Sequence, residues 1–202
     1  MTDASSSVAV KRPQLTLPEA EGAWVREAYA SAQVILEYGS GGSTVLASEM
    51  PDKTVTSVES DPDWAAMMVR WFDENPPVSM PEIVPVDIGK VRQWGMPVNN
   101  MRYGQFSHYS LGVWERPGFR QPDLVLIDGR FRVGCLLACL FRSAAPVTVL
   151  FDDYTDRPEY HVAETYADRV ETRGRMVRFE VTPRAIRNEE LLDVVGLLQH
   201  KR

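Results

Sequence analysis

The chain is poor in cysteine and lysine and has no long apolar run, and each shortage removes a class of protein. Only two cysteines, Cys135 and Cys139, occur in 202 residues. That is too few for a disulfide scaffold, and their four-residue spacing in an apolar, helix-like stretch predicts core-facing thiols rather than a metal pair. Lysine is confined to Lys11, Lys53, Lys90 and Lys201, and the formal charge is -6, which opposes non-specific attraction to a polyanion, so bulk nucleic-acid binding is not expected. No apolar run approaches the roughly 20 residues that span a bilayer. The opening M-T-D-A-S-S-S-V-A-V-K-R-P lacks the apolar stretch of a secretory signal. These absences predict a cytoplasmic protein with no membrane association. A composition of 44% hydrophobic and 25% charged residues suits one globular domain with a sizeable core.

Residues 1–13, Ser-rich and closed by Pro13, read as a disordered tail, leaving residues 14–202 as a single domain. Within it, short apolar runs alternate with amphipathic stretches. Pro18 and the acidic residues after it suit a helix start. Residues 34–38 (V-I-L-E-Y) read as a buried strand, followed by a glycine-rich turn and a helix. Strands are expected again at 54–59, at 82–87 (weakened by Pro85), at 123–128, at 147–153 and at 176–181. Helices are expected after Asp61-Pro62, at 133–141 and at 158–171, while 191–198 fits either a strand or a helix. Alternation of this kind predicts a doubly wound, mostly parallel α/β sheet covered on both faces. Residues 88–122 interrupt it. That stretch is long for a connection and rich in aromatics (Trp94, Tyr103, Phe106, Tyr109, Trp114, Phe119), so it reads as an insertion that is either a covering flap or a substrate lid.

In such sheets ligands bind beyond the carboxyl ends of the strands, and here those ends are acidic: Glu37, Glu59, Asp87, Asp128 and Asp152-Asp153. The first turn, E-Y-G-S-G-G-S-T, brings Gly39, Gly41 and Gly42 where backbone must turn tightly and approach a ligand closely. Glu59, twenty residues past Gly39, lies where a carboxylate accepts from both hydroxyls of a ribose, which points to an adenosine-type ligand. A pyrophosphate fits poorly, because Glu37 would repel it and Thr44 stands where G-x-G-x-x-G has its last glycine. A cationic adenosine ligand fits the charge better.

These residues resemble the class I S-adenosylmethionine-dependent methyltransferases over roughly residues 33–155. Glu37-Tyr38-Gly39-Ser40-Gly41-Gly42-Ser43 is similar to that family's acidic-x-Gly-x-Gly-x-Gly motif, with Ser43 at the last glycine. Ser57-Val58-Glu59-Ser60-Asp61 is similar to the second motif, Val86-Asp87-Ile88 to the third and Leu126-Ile127-Asp128-Gly129 to the fourth. The resemblance implies a Rossmann-like, seven-stranded methyltransferase fold whose last strand is antiparallel, which inclines 191–198 toward strand. It implies S-adenosyl-L-methionine as cofactor, held by Glu37, Gly39, Ser40, Gly41, Ser43, Glu59, Ser60, Asp87, Ile88 and Asp128. Here Glu59 would take the ribose, Ser60 would flank the adenine and Asp87 would accept from its amino group.

The expected reaction is methyl transfer to a small molecule, with O-methylation favoured. Alignment and proton removal are then the protein's main tasks. Asp128 is the first candidate for orienting the acceptor, with Asp153, Tyr154 and His108 behind it. Asp128, Asp152 and Asp153 together are also candidate oxygen ligands for a divalent cation, as in some metal-assisted O-methyltransferases; the other expectation for them is pairing with Arg130, Arg132 or Arg157. A non-catalytic domain binding an adenosine ligand, or an aminopropyltransferase-like enzyme, would share the cofactor motifs.

Overall fold

The computed structural model describes residues 10–201. Of the expected tail, residues 1–9 lie outside the described residues. Residues 10–13 pack against the domain: Pro13 is buried, and Arg12 pairs with Glu49 at 2.7 Å.

Helix α1 (Glu19–Ser31) starts behind Pro18 with Glu19 and Glu21 in its first turn, where acidic charge complements the helix dipole. Strand β1 (Val34–Tyr38) leads through the glycine turn into α2 (Gly42–Ser48). Next come β2 (Thr54–Glu59) and α3 (Pro62–Glu74), whose first amides, Asp63 N and Trp64 N, donate to the Asp61 carboxylate. Strand β3 (Glu82–Pro85) is an edge strand, which is why it tolerates proline. The insertion then forms a small ribbon of β4 (Val91–Arg92) and β5 (Met96–Pro97), helix α4 (Phe106–Leu111) and a 3-10 turn at Gly112–Glu115. Strand β6 (Leu124–Ile127), helix α5 (Arg132–Arg142) and strand β7 (Val147–Phe151) continue the alternation. The chain closes with a hairpin of β8 (Asp168–Arg173) and β9 (Met176–Val181), then α6 (Leu191–Leu198).

The seven strands lie in the order β3-β2-β1-β6-β7-β9-β8. The first five are parallel, and β9 runs antiparallel to both β7 and β8. This is the expected methyltransferase-type sheet, with strand order reversing between β1 and β6. One local expectation fails, and one choice left open is decided against the strand that the resemblance favoured. Residues 158–171 hold only a 3-10 segment (Pro158–Thr165) before β8 begins, and 191–198 is a helix. The antiparallel strand is β9, and β8 (D-R-V-E-T-R) escapes notice because its edge position leaves mostly charged side chains toward solvent. Cys135 and Cys139 are both buried on α5, as expected.

Much of the insertion is core rather than cover. Ile88, Phe106, Tyr109 and Val113 join the main hydrophobic cluster with Phe131 and the α5 leucines. Tyr38 Oη donates to Ser110 O at 2.6 Å and accepts from Trp114 Nε1 at 2.8 Å, tying the insertion to β1. The ribbon end is different: Trp94 and Met101 are exposed. Among the described residues, no helix is long and apolar enough to cross a membrane.

Candidate active site

A cavity of about 490 Å³ opens at the carboxyl ends of β1, β2 and β6, beside the switch in strand order. It is walled by Gly39–Ser43, Glu59–Asp61, Trp64, Gln93–Gly95, Tyr109 and Asp128–Arg130, and roofed by residues 14–17.

The glycines set its shape. Gly39 adopts φ 105°, and a Cβ there would stand 2.9 Å from the Cα and N of Gly129, so two glycines let the first and fourth turns touch. At Gly42 a Cβ would stand 2.1 Å from Leu15 N, because the segment before α1 crosses directly over that turn. Gly41 meets nothing within 4 Å and faces open space. Gly39, Ser40, Gly41 and Ser43 line the cavity, and the overlying segment, residues 14–17, is an addition that its sequence does not announce.

Glu37 is corrected. It is fully buried, with Oε1 accepting from Tyr29 Oη and Oε2 from Thr44 Oγ1, each at 2.6 Å, and it does not border the cavity. Burial pushes its carboxyl upward while the hydrogen bonds, led by Thr44, pull it back. Thr44 Oγ1 also accepts from Gly41 N at 3.0 Å. The threonine that departs from the dinucleotide pattern thus locks the turn to the buried acid.

Glu59 is where the spacing puts it. Its carboxylate borders the cavity and accepts from Ser40 N and Oγ at 3.2 and 3.0 Å, from Ser60 N at 2.7 Å and from Asp61 N at 2.8 Å. These neutral donors fix its orientation without cancelling its charge. Ser60 also lines the cavity, with Oγ donating to Gly95 O at 3.1 Å.

Asp87, Ile88 and His108 are corrected as well. Strand β3 ends at Pro85, so Asp87 falls in the following turn, where its exposed carboxylate accepts from Gly89 N at 2.8 Å. Ile88 is buried in the core, and His108 is on the exposed face of α4. None of the three borders the cavity. The wall expected from Asp87 and Ile88 is supplied by Gln93-Trp94-Gly95. Gly95 fits against Ser60 only because a Cβ would stand 2.2 Å from Ser60 Oγ, and Trp94 takes φ 64°, rare for a bulky residue.

At β6 and β7 the acids meet arginines. Oxygens of Asp128, Asp152 and Asp153 lie within 4.8 Å of one another, as a metal site would need. Arg132, only 2% exposed, sits among them: Nη2 is 3.2 Å from Asp128 Oδ1 and 3.0 Å from Asp153 Oδ2, and Nε donates to Gly129 O at 3.1 Å. Arg175 pairs with Asp152 at 2.7 Å and with Asp153 at 3.1 Å, and Arg157 pairs with Asp153 at 2.8 Å. Three guanidiniums answer three carboxylates, leaving no uncompensated negative charge for a divalent cation, so these residues do not fit the expected metal. Of this group Asp128 alone borders the cavity. Desolvation pushes its carboxyl up to about 7 against the pull of Arg132, with Asp152 and Asp153 adding to the rise. Asp153 is held behind it by three arginines, and Tyr154 is buried with Oη donating to Glu164 at 3.0 Å. Neither borders the cavity.

No protein-family model and no curated protein sequence matches the chain; solved structures do. A methyltransferase-like protein from Silicibacter pomeroyi is 48% identical, with a TM-score of 0.91 over 94% of this chain and 98% of that one. An O-methyltransferase of tomaymycin synthesis from Streptomyces achromogenes, solved with S-adenosylmethionine, is 16% identical (TM-score 0.58, 84% and 82% covered). An O-methyltransferase from Bacillus cereus, solved with S-adenosylhomocysteine, is 13% identical (TM-score 0.58, 82% of each chain covered).

Proposed function

Starting from the chain's membership of the class I S-adenosylmethionine-dependent methyltransferases, we propose that the cavity binds S-adenosyl-L-methionine and that the enzyme methylates a hydroxyl of a small molecule. One observation carries this reading. Glu59 borders the cavity with its carboxylate held by neutral donors, Asp61 beside it, and is bonded through Ser40 to a glycine turn open at Gly41. That arrangement suits a ribose and a cationic ligand, and disfavours a pyrophosphate.

Glu59 is the ribose acceptor, Ser60 and Gly95 flank the adenine, and Ser40, Gly41 and Ser43 line the path of the amino-acid tail. When bound, S-adenosylmethionine supplies a methyl group on a sulfonium, which departs as a neutral thioether as the acceptor oxygen takes the methyl. Asp128 holds the acceptor hydroxyl at the cavity wall and takes its proton, because a carboxyl near 7 is matched to general-base work at neutral pH. Arg132 anchors Asp128 by bonding both its carboxylate and its backbone oxygen.

Calorimetric titration with S-adenosylmethionine, S-adenosylhomocysteine and NAD tests the assignment. The first two should bind and NAD should not. Glu59→Ala should lose about 1–3 kcal/mol of affinity, the usual cost of removing a charged acceptor. Preferential binding of NAD, or an unchanged affinity in Glu59→Ala, would refute it.

A further inference from the structure

One charged wall residue plays no part in the chemistry above. Arg130 borders the cavity two residues after Asp128. Arg26, Arg70, Arg92 and Arg120 also lack a carboxylate partner among the described residues, but all four are exposed, whereas Arg130 is partly buried. Its Nε is enclosed with no hydrogen-bond partner. The nearby acids are already engaged: Asp128 and Asp153 by Arg132, Asp153 also by Arg157, and Asp152 by Arg175. Arg132 and Arg157 add repulsion rather than relief, and together with burial they lower the proton affinity of Arg130. Four guanidiniums therefore meet three carboxylates at this end of the cavity, and Arg130 holds the excess charge. Tyr109 stands on the same wall. Its hydroxyl accepts from Arg130 N at 3.4 Å, and burial pushes its ionisation well above the usual tyrosine range, so it keeps a proton to donate.

We propose that the methyl acceptor carries an anionic group, a carboxylate or a phosphate, and that Arg130 with the Tyr109 hydroxyl binds it. The inference rests on the methyltransferase reading and deepens it. A guanidinium presents a planar fork of donors that matches both anions. Glu59 and Asp61, where β2 ends at the cavity, repel them. An anionic acceptor would thus be directed to the Asp128 end of the cavity and away from the ribose end.

The test uses small probes on the S-adenosylhomocysteine-saturated protein: benzoate, phenyl phosphate and neutral phenol, titrated into wild type, Arg130→Gln and Arg130→Lys. Wild type should bind at least one of the two anions, and the preferred one identifies the group. Arg130→Gln should lose about tenfold or more of that affinity, Arg130→Lys less, while phenol binds all three alike. Affinity for S-adenosylhomocysteine should stay unchanged and the melting temperature should not fall, which establishes that the variants are folded. Equal anion binding by wild type and Arg130→Gln overturns the proposal, as does a wild-type complex that binds neither anion. So does a loss of S-adenosylhomocysteine affinity in Arg130→Gln that 5′-methylthioadenosine, which has no carboxylate, does not share; Arg130 would then hold the cofactor. A wild-type protein that fails to bind S-adenosylhomocysteine at all would instead overturn the methyltransferase reading.

Discussion

The two ends of the cavity treat their carboxylates in opposite ways. At β1 and β2, Glu37 and Glu59 are satisfied by hydroxyls and amides, which orient a carboxyl group and bring no positive charge to it. At β6 and β7, Asp128, Asp152 and Asp153 are answered by Arg132, Arg157 and Arg175, and Arg130 tips the balance to positive. Acidic strand ends are therefore not one feature repeated five times. The donor that meets each acid decides the balance of charge around it, and two different balances border a single cavity.

The basic end breaks most readily at its centre. Arg132→Met should destabilise the protein by about 3–5 kcal/mol, because it leaves buried carboxylates without their cation. Thermal unfolding measures this. In the wild type, millimolar Mg²⁺ or a chelator should leave the melting temperature unmoved; a metal-dependent rise would mean that the guanidiniums do not complete the site.

Where the two ends touch, Gly129→Ala should cost about 1–3 kcal/mol or more from overpacking, since a Cβ would stand 2.1 Å from Tyr109 Oη and 2.8 Å from Tyr38 O. Denaturant unfolding and S-adenosylhomocysteine titration should fall together. A stable variant with intact binding would show that the insertion can shift to make room.

At the acidic end the contrast is between Glu59, which faces the cavity, and Glu37, which lies beneath it. Glu37→Gln should cost about 1–3 kcal/mol through the Tyr29 and Thr44 bonds. Because Glu37 shapes the turn and does not border the cavity, adenosine and S-adenosylmethionine should weaken by the same factor in parallel titrations. A loss confined to S-adenosylmethionine would instead place Glu37 against the ammonium of the amino-acid tail.

The smallest effect, and the one that links the ends, comes from Asp128. With its carboxyl raised to about 7, the folded protein holds a proton between about pH 4 and 7 that the unfolded chain releases. This group's contribution to stability is therefore present at the acid end of that window and lost as pH rises through 7. Binding runs the other way: an ionised Asp128 attracts the cationic cofactor, so its affinity should rise on the order of tenfold from pH 6 to 8. Paired melting and titration series across that range check both signs, and Asp128→Asn should flatten both.

Much of this is legible in the sequence. The β1 turn, the Glu59 spacing and the alternating apolar runs are local patterns, and each landed where periodicity and glycine placement put it. The strand β8 was not legible, since an edge strand with charged side chains carries no apolar alternation. Asp87 and Ile88 matched a motif, yet they miss the cavity because β3 stops at Pro85 and the chain turns away. Residues 14–17 and Gln93-Trp94-Gly95, which complete the walls, have no signature because they arrive from elsewhere in the chain.

By itself the sequence determined the sheet class, the end of the sheet where the cavity opens and a carboxylate, Glu59, that borders it. These follow from spacing along a few dozen residues, where strand length and turn chemistry act locally. Only the tertiary structure decided which acids meet an arginine. Arg175 reaches Asp152 from the β8–β9 turn, and Arg132 reaches Asp153 from the start of α5. A charge's effect depends on the partners brought within a few ångströms of it, and those partners are chosen by packing rather than by neighbours in the chain.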